Sequence, residues 1–97
     1  MERAAVSIPS NIAEGYELNS DRGFIRYLLI SKGSAGELRT QLYIAIRRNY
    51  ISSDSGKILM SRIKIETAMI QKFIIARRKR IATNIIKKTI SVLLFWM

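Results

Sequence analysis

The stretch SDRGFIRYLLISKGSAGELRTQLYIA, Ser20 to Ala45, decides how this chain folds. Phe24, Leu28, Ser31, Ala35, Leu38, Leu42 and Ala45 follow steps of four and three residues, the spacing that puts side chains on one stripe of an α-helix. Ser20 or Asp21 supplies a good N-cap, because its side-chain oxygen can accept a free backbone N–H of the first turn. Small residues at the centre of the stripe would let a second helix approach closely. Gly33 and Gly36 each cost roughly 1 kcal/mol of helix propensity relative to alanine, so packing must hold the helix together. The reverse side carries Leu29, Ile30 and Ile44 beside Arg22, Arg26 and Arg47, and a helix apolar on more than one side wants more than one neighbour.

Upstream, Glu2 to Tyr16 repeats Ala4, Ala5, Ile8, Ile12 and Ala13 at helical spacing around Pro9. Proline lacks a backbone N–H and crowds the preceding turn. Two readings stay open: one kinked helix, or a helix restarting at an Asn11–Glu14 capping box. Gly15 is expected to end the segment. Downstream, Asn49–Ser55 is a short polar connection with Ser52, Ser53 or Asp54 as the next N-cap. A third helix is predicted from about Gly56 to Ala76, with Leu59, Ile63, Ile70, Phe73 and Ile74 on its apolar face. Short connections make successive helices antiparallel neighbours. The expected fold is therefore all-α, an antiparallel helical bundle with its core in residues 1–76. Residues 77–97 form a basic C-terminal tail, and Ile81, Ile85, Thr89, Val92 and Trp96 would line one face of a further helix there.

Composition narrows the chemistry. At 97 residues the chain is at most one domain, and a core this small often needs a partner copy. It contains no cysteine and no histidine, which removes disulfides together with the commonest general base and metal ligand. The net charge is +10. Residues 1–56 hold seven basic against six acidic side chains, whereas residues 57–97 hold ten against one, Glu66. So one-sided a half attracts polyanions, nucleic acid before an anionic membrane surface. No run reaches the roughly 18 apolar residues of a membrane span, and Met1–Ser10 has no signal-peptide pattern, so a cytoplasmic protein is expected.

Arg3–Gly15 reads RAAVSIPSNIAEG, and Ser20–Leu42 reads SDRGFIRYLLISKGSAGELRTQL. In this order the two stretches resemble the second and third helices of the 23S ribosomal RNA intervening-sequence proteins, a four-helix-bundle family. The resemblance continues through Ala45 and Tyr50 and covers about half of the chain. It implies an antiparallel four-helix bundle assembling as a ring-like homopentamer, encoded within sequences that interrupt bacterial 23S rRNA genes. No catalytic residues go with that fold. A related bundle, the accessory protein of diversity-generating retroelements, binds nucleic acid through basic surface residues. Three departures stand out. The family's first helix, which should precede Arg3, is missing from this sequence; Gly23 and Arg39 occupy positions usually charged, often acidic; and nothing familiar follows about Ile75. Such a start and end read as a partial or degenerate frame, whose fold would lean on oligomer contacts or an exchanged tail helix.

Other chemistry is weakly signalled. Ser53-Asp54-Ser55-Gly56-Lys57 looks like the end of a P-loop, but the required earlier glycine is Ile51, so a helix start is the better reading. Gly33-Ser34-Ala35-Gly36 has the spacing of a GXXG backbone clamp, yet such clamps sit in loops; close helix packing is preferred. Glu14 and Glu37 have no sequence-visible partner for acid–base work and read as capping and ion-pairing residues. Asn11 and Thr40-Gln41 read equally as register-fixing buried amides and as exposed residues. Tyr27, Tyr43, Phe73 and Trp96 are too scattered for a base-stacking platform, which favours backbone contacts.

The functional expectation is a non-enzymatic, homo-oligomeric protein that binds RNA or other nucleic acid. The predicted contacts are Arg22, Arg26, Arg47, Arg48, Arg62, Lys64, Lys72, Arg77, Arg78, Lys79 and Arg80. No catalytic set, cofactor, metal or small-molecule substrate is expected. The competing classes are a purely structural helical oligomer and a membrane-surface tail at residues 81–97.

Overall fold

A computed structural model describes residues 2–97 and is all-helical over that range: α1 (Glu2–Glu17), α2 (Asp21–Arg47) and α3 (Ser53–Trp96). The N-caps resolve to Ser20 and Ser52, whose hydroxyls accept the backbone N–H of Gly23 and of Ser55, each at 3.1 Å. At the end of α2, Asn49 takes a left-handed conformation (φ 60°), which asparagine tolerates well. The Asn49 N–H then bonds the Ile46 carbonyl and the Tyr50 N–H the Ala45 carbonyl, closing the helix in a Schellman turn.

All three helices alternate in direction. As α1 advances α2 recedes, so Ile8 meets Ser31 and Gly15 meets Tyr27. The same holds for α3, where Gly56 meets Ile46, Gln71 meets Lys32 and Arg77 meets Asp21. α2 is the shared wall: α1 and α3 each pack on it, and their backbones do not come together. The predicted stripe is the core. Phe24, Leu28, Ser31, Ala35, Leu42 and Ala45 are buried, joined by Ala4 and Ile8 from α1 and by Ile63, Ile70 and Ile74 from α3.

Several expectations change. α1 is one helix running through Pro9, and no restart occurs at Asn11, whose amide instead donates to the Ser7 carbonyl at 2.8 Å. Gly15 does not end α1, which continues to Glu17. It is buried where the helices cross, and a Cβ there would sit 2.6 Å from the Cβ of Tyr27. Close approach comes at the small residues of the stripe, as expected, but not at Gly33 and Gly36, which face no neighbour. Ser31 Oγ donates to the Ile8 carbonyl at 3.0 Å, and the Ser34 and Ser7 hydroxyls lie 2.9 Å apart. Thr40 is exposed and bonds the Gly36 carbonyl, and Gln41 reaches only Glu37, so neither ties two helices together.

A Cβ on Gly33 or Gly36 would meet no atom within 4 Å, and neither glycine has a positive φ. Alanine at either position is therefore expected to stabilise the protein by roughly 0.5–1 kcal/mol, since it restricts the unfolded chain at no steric cost. A urea midpoint that falls in Gly33→Ala would contradict this.

The segment expected from about Gly56 to Ala76 and the further helix expected after it form one rod of 44 residues. Packing against α2 ends near Ile81, and every residue from 82 to 97 is exposed. At 1.5 Å per residue that overshoot is about 24 Å long. It accounts for the 69 Å long axis and for a radius of gyration of 18.7 Å, against roughly 12.5 Å for a compact chain of this length. No described helix is long and apolar enough to cross a membrane.

Candidate nucleic-acid interface

Helical spacing sorts the basic side chains onto different surfaces. On α3, Lys57, Lys64, Gln71 and Arg78 recur every seventh residue and so share one face, with Lys72 and Lys79 one step round. The four lysines and Arg78 are exposed. Beside this face runs a shallow groove between α2 and α3, lined by Arg39, Thr40, Tyr43, Met60 and Lys64. Lys32 of α2 spans the same groove farther along, its ammonium donating to Gln71 Oε1 at 2.7 Å. Two antiparallel helices thus present cations from both walls of one groove.

The remaining predicted residues lie elsewhere. Arg26 sits on the outer face of α2, and Arg48 follows at its C-cap; Arg22 flanks Ile81, Ile85 and Lys88 of α3, and Arg47 borders the groove, donating to the Tyr43 hydroxyl at 3.5 Å. Arg62 lines the opposite, apolar groove between α1 and α3. Arg77 and Arg80 are engaged by Asp21, at 2.9 Å and 3.3 Å. Arg77 is partly covered and also stacks over the Phe24 ring at 4.7 Å. The run Arg77–Arg80 is therefore divided: Arg78 and Lys79 are free on the outer face, while Arg77 and Arg80 tie α3 to the first turn of α2. These are the two ion pairs among the described residues. Sequence reasoning missed Lys32, Arg39 and Lys57. The sevenfold recurrence from Lys57 was a signal available for one of them, but Arg39 and Lys32 join the face only through the α2–α3 register.

Asp21→Asn is expected to release both guanidiniums and to cost about 1 kcal/mol of stability, because a partly buried charged hydrogen bond is lost. The chain should then melt at a lower temperature and bind polyanions more tightly. A variant with wild-type melting would show that the clamp holds nothing.

The family model of the 23S rRNA-intervening sequence protein matches residues 1–72. The chain belongs to that family. The matched region of this intervening-sequence protein takes in α1, α2 and the first part of α3, and with them Lys32, Arg39, Lys57, Lys64 and Lys72. Arg77–Arg80 and the overshooting end of α3 lie beyond it. No curated protein and no solved structure matches the chain.

Proposed function

We propose that this intervening-sequence protein is a non-enzymatic, cytoplasmic helical-bundle protein that self-associates and binds RNA through its phosphate backbone along the α2–α3 face. The observation that carries the reading is the cationic groove: Arg39 and Lys64 line it together, and Lys57, Lys72, Arg78 and Lys79 extend it along α3. Cations on two antiparallel rods track a phosphate chain without reading bases, and Tyr43 is the one aromatic in the groove. Self-association is supported by large apolar side chains left exposed along the whole of α2 and α3, among them Leu29, Ile30 and Ile44 of α2 and Leu59 and Phe73 of α3. A ring of five, as the family resemblance implies, would multiply a weak cationic face by avidity.

Affinity for a structured RNA measured across a salt series tests the reading. Log affinity is expected to fall linearly with log salt, by about 0.7–0.9 per phosphate neutralised. Absent binding at low salt, or a flat response, would leave a structural helical oligomer as the better account.

A further inference from the structure

The second groove of the molecule is apolar and lies between α1 and α3. Its floor is Leu38 and Leu42 of α2, and its walls include Ile8 and Ile12 of α1 and Leu59 and Phe73 of α3. Leu59 and Phe73 were expected in the core, yet they stand 42% and 49% exposed. They lack cover because α1 and α3 share α2 without closing on each other. The two adjoining hollows of this groove measure about 500 and 400 Å³. From Leu59 to Phe73 the α3 wall is about 21 Å long. Among its rim residues are Glu2, Arg62 and Glu66, the last being the sole acid of the basic half.

We propose that this groove holds the overshooting end of α3, residues 82–97, from a second copy of the chain. The proposal rests on the self-association put forward above and names its contact. Three features commit the groove to that occupant. The first is surface chemistry: Ile85, Ile86, Val92, Leu93, Phe95 and Trp96 are all at least half exposed on a helix that touches nothing beyond its first turn or two. A lone helix of that length is marginal in water, and helices gain most of their stability by covering an apolar face. The second is size, since a segment about 24 Å long meets a wall of about 21 Å. The third is charge. The segment carries Lys87 and Lys88 and no acid, and Lys88 flanks the Ile85–Val92 stripe, so it comes to the groove edge where Glu2 and Glu66 lie.

The donor must be another copy. α3 is continuous from Ser53 to Trp96 and has neither glycine nor proline after Gly56, so its end points away from its own groove. Seated between α1 and α3 and opposite α2, the segment completes a four-helix section whose fourth member comes from elsewhere.

Because the chain has no cysteine, disulfide trapping is clean. Full-length Glu66→Cys is mixed with full-length Ile85→Cys, Lys88→Cys or Val92→Cys, which together cover the registers of one helical face, and the mixture is oxidised. A disulfide-linked heterodimer is expected from at least one pairing. In parallel, light scattering gives the solution mass of the wild type and of the double variant Ile85→Asp/Val92→Asp. Both positions are more than half exposed, with Ile85 only bordering a shallow hollow beside Ser20–Arg22, so helicity should persist while the mass falls to that of a single 11.1 kDa chain. If the wild type associates but the double variant retains its mass and no pairing cross-links, the tail contact is wrong and self-association stands. A wild type that stays monomeric at all concentrations overturns both. Sedimentation of that monomer with anionic vesicles, lost in the double variant, would assign the segment to a lipid surface instead.

Discussion

Leu28→Ala is expected to cost about 2–5 kcal/mol of folding stability. Leu28 is fully inaccessible at the centre of the cluster formed by Ile8, Phe24, Ala35, Ile70 and Ile74, so it touches the core contributions of all three helices. Shortening it removes apolar area and leaves a hole lined by close-packed side chains from all three helices. Chains of this length carry in total about 5–15 kcal/mol. The variant should therefore lose much of its helicity at room temperature, or show a strongly reduced urea midpoint. The neighbouring Leu29→Ala, at 45% exposure, should shift it by less than about 0.5 kcal/mol in the isolated protomer. Equal effects at the two positions would mean that the stripe from Phe24 to Ala45 is not what the bundle is built on.

The second large effect concerns binding. Neutralising Arg39, Lys64 and Arg78 together with glutamine should weaken RNA affinity at low salt on the order of 100-fold and reduce the salt slope by about 2–3. The three side chains lie on the α2–α3 face and none has a carboxylate partner, so folding stability should hardly change. Neutralising Arg22, Arg26 and Arg48, none of which lines that groove, is the matched control, with the same charge change and a smaller expected loss. Should the control reduce affinity as much as the groove variant, net charge alone would explain binding and the α2–α3 face would have no special part in it.

Much of the fold could be read from residue order alone, for a physical reason. The Phe24–Ala45 stripe combines large apolar residues with a strict helical period, and a period is a property of one segment that needs no knowledge of its neighbours. The caps at Ser20 and Ser52 are local in the same way. What the chain order hides is which small residue meets a partner. Gly15, Ser31 and Gly33 all permit close approach, but the crossing point of α1 on α2 selects the first two and leaves Gly33 facing open space. The cationic surface divides along similar lines. Lys64, Lys72, Arg78 and Lys79 were identifiable because α3 is a single unbroken period. The capture of Arg77 and Arg80 by Asp21 joins residues more than fifty positions apart, and the α2–α3 register decides it. Leu59 and Phe73 were placed on an apolar face that would need a fourth helix to cover it, and among the described residues only α1 and α3 pack on α2.

The clamp of Asp21 on Arg77 and Arg80 also divides one continuous helix into two kinetic regimes. Amide protons on its bundle side can exchange with solvent only when α2 and α3 separate, an event governed by the stability of the whole core. Those past Ile81 are held only by the hydrogen bonds of an unsupported helix, which open by local fraying, so protection should drop sharply within a single turn of unbroken backbone. A structure that looks like one rod would thus behave, on the timescale of minutes, as a fixed beam with a loose end.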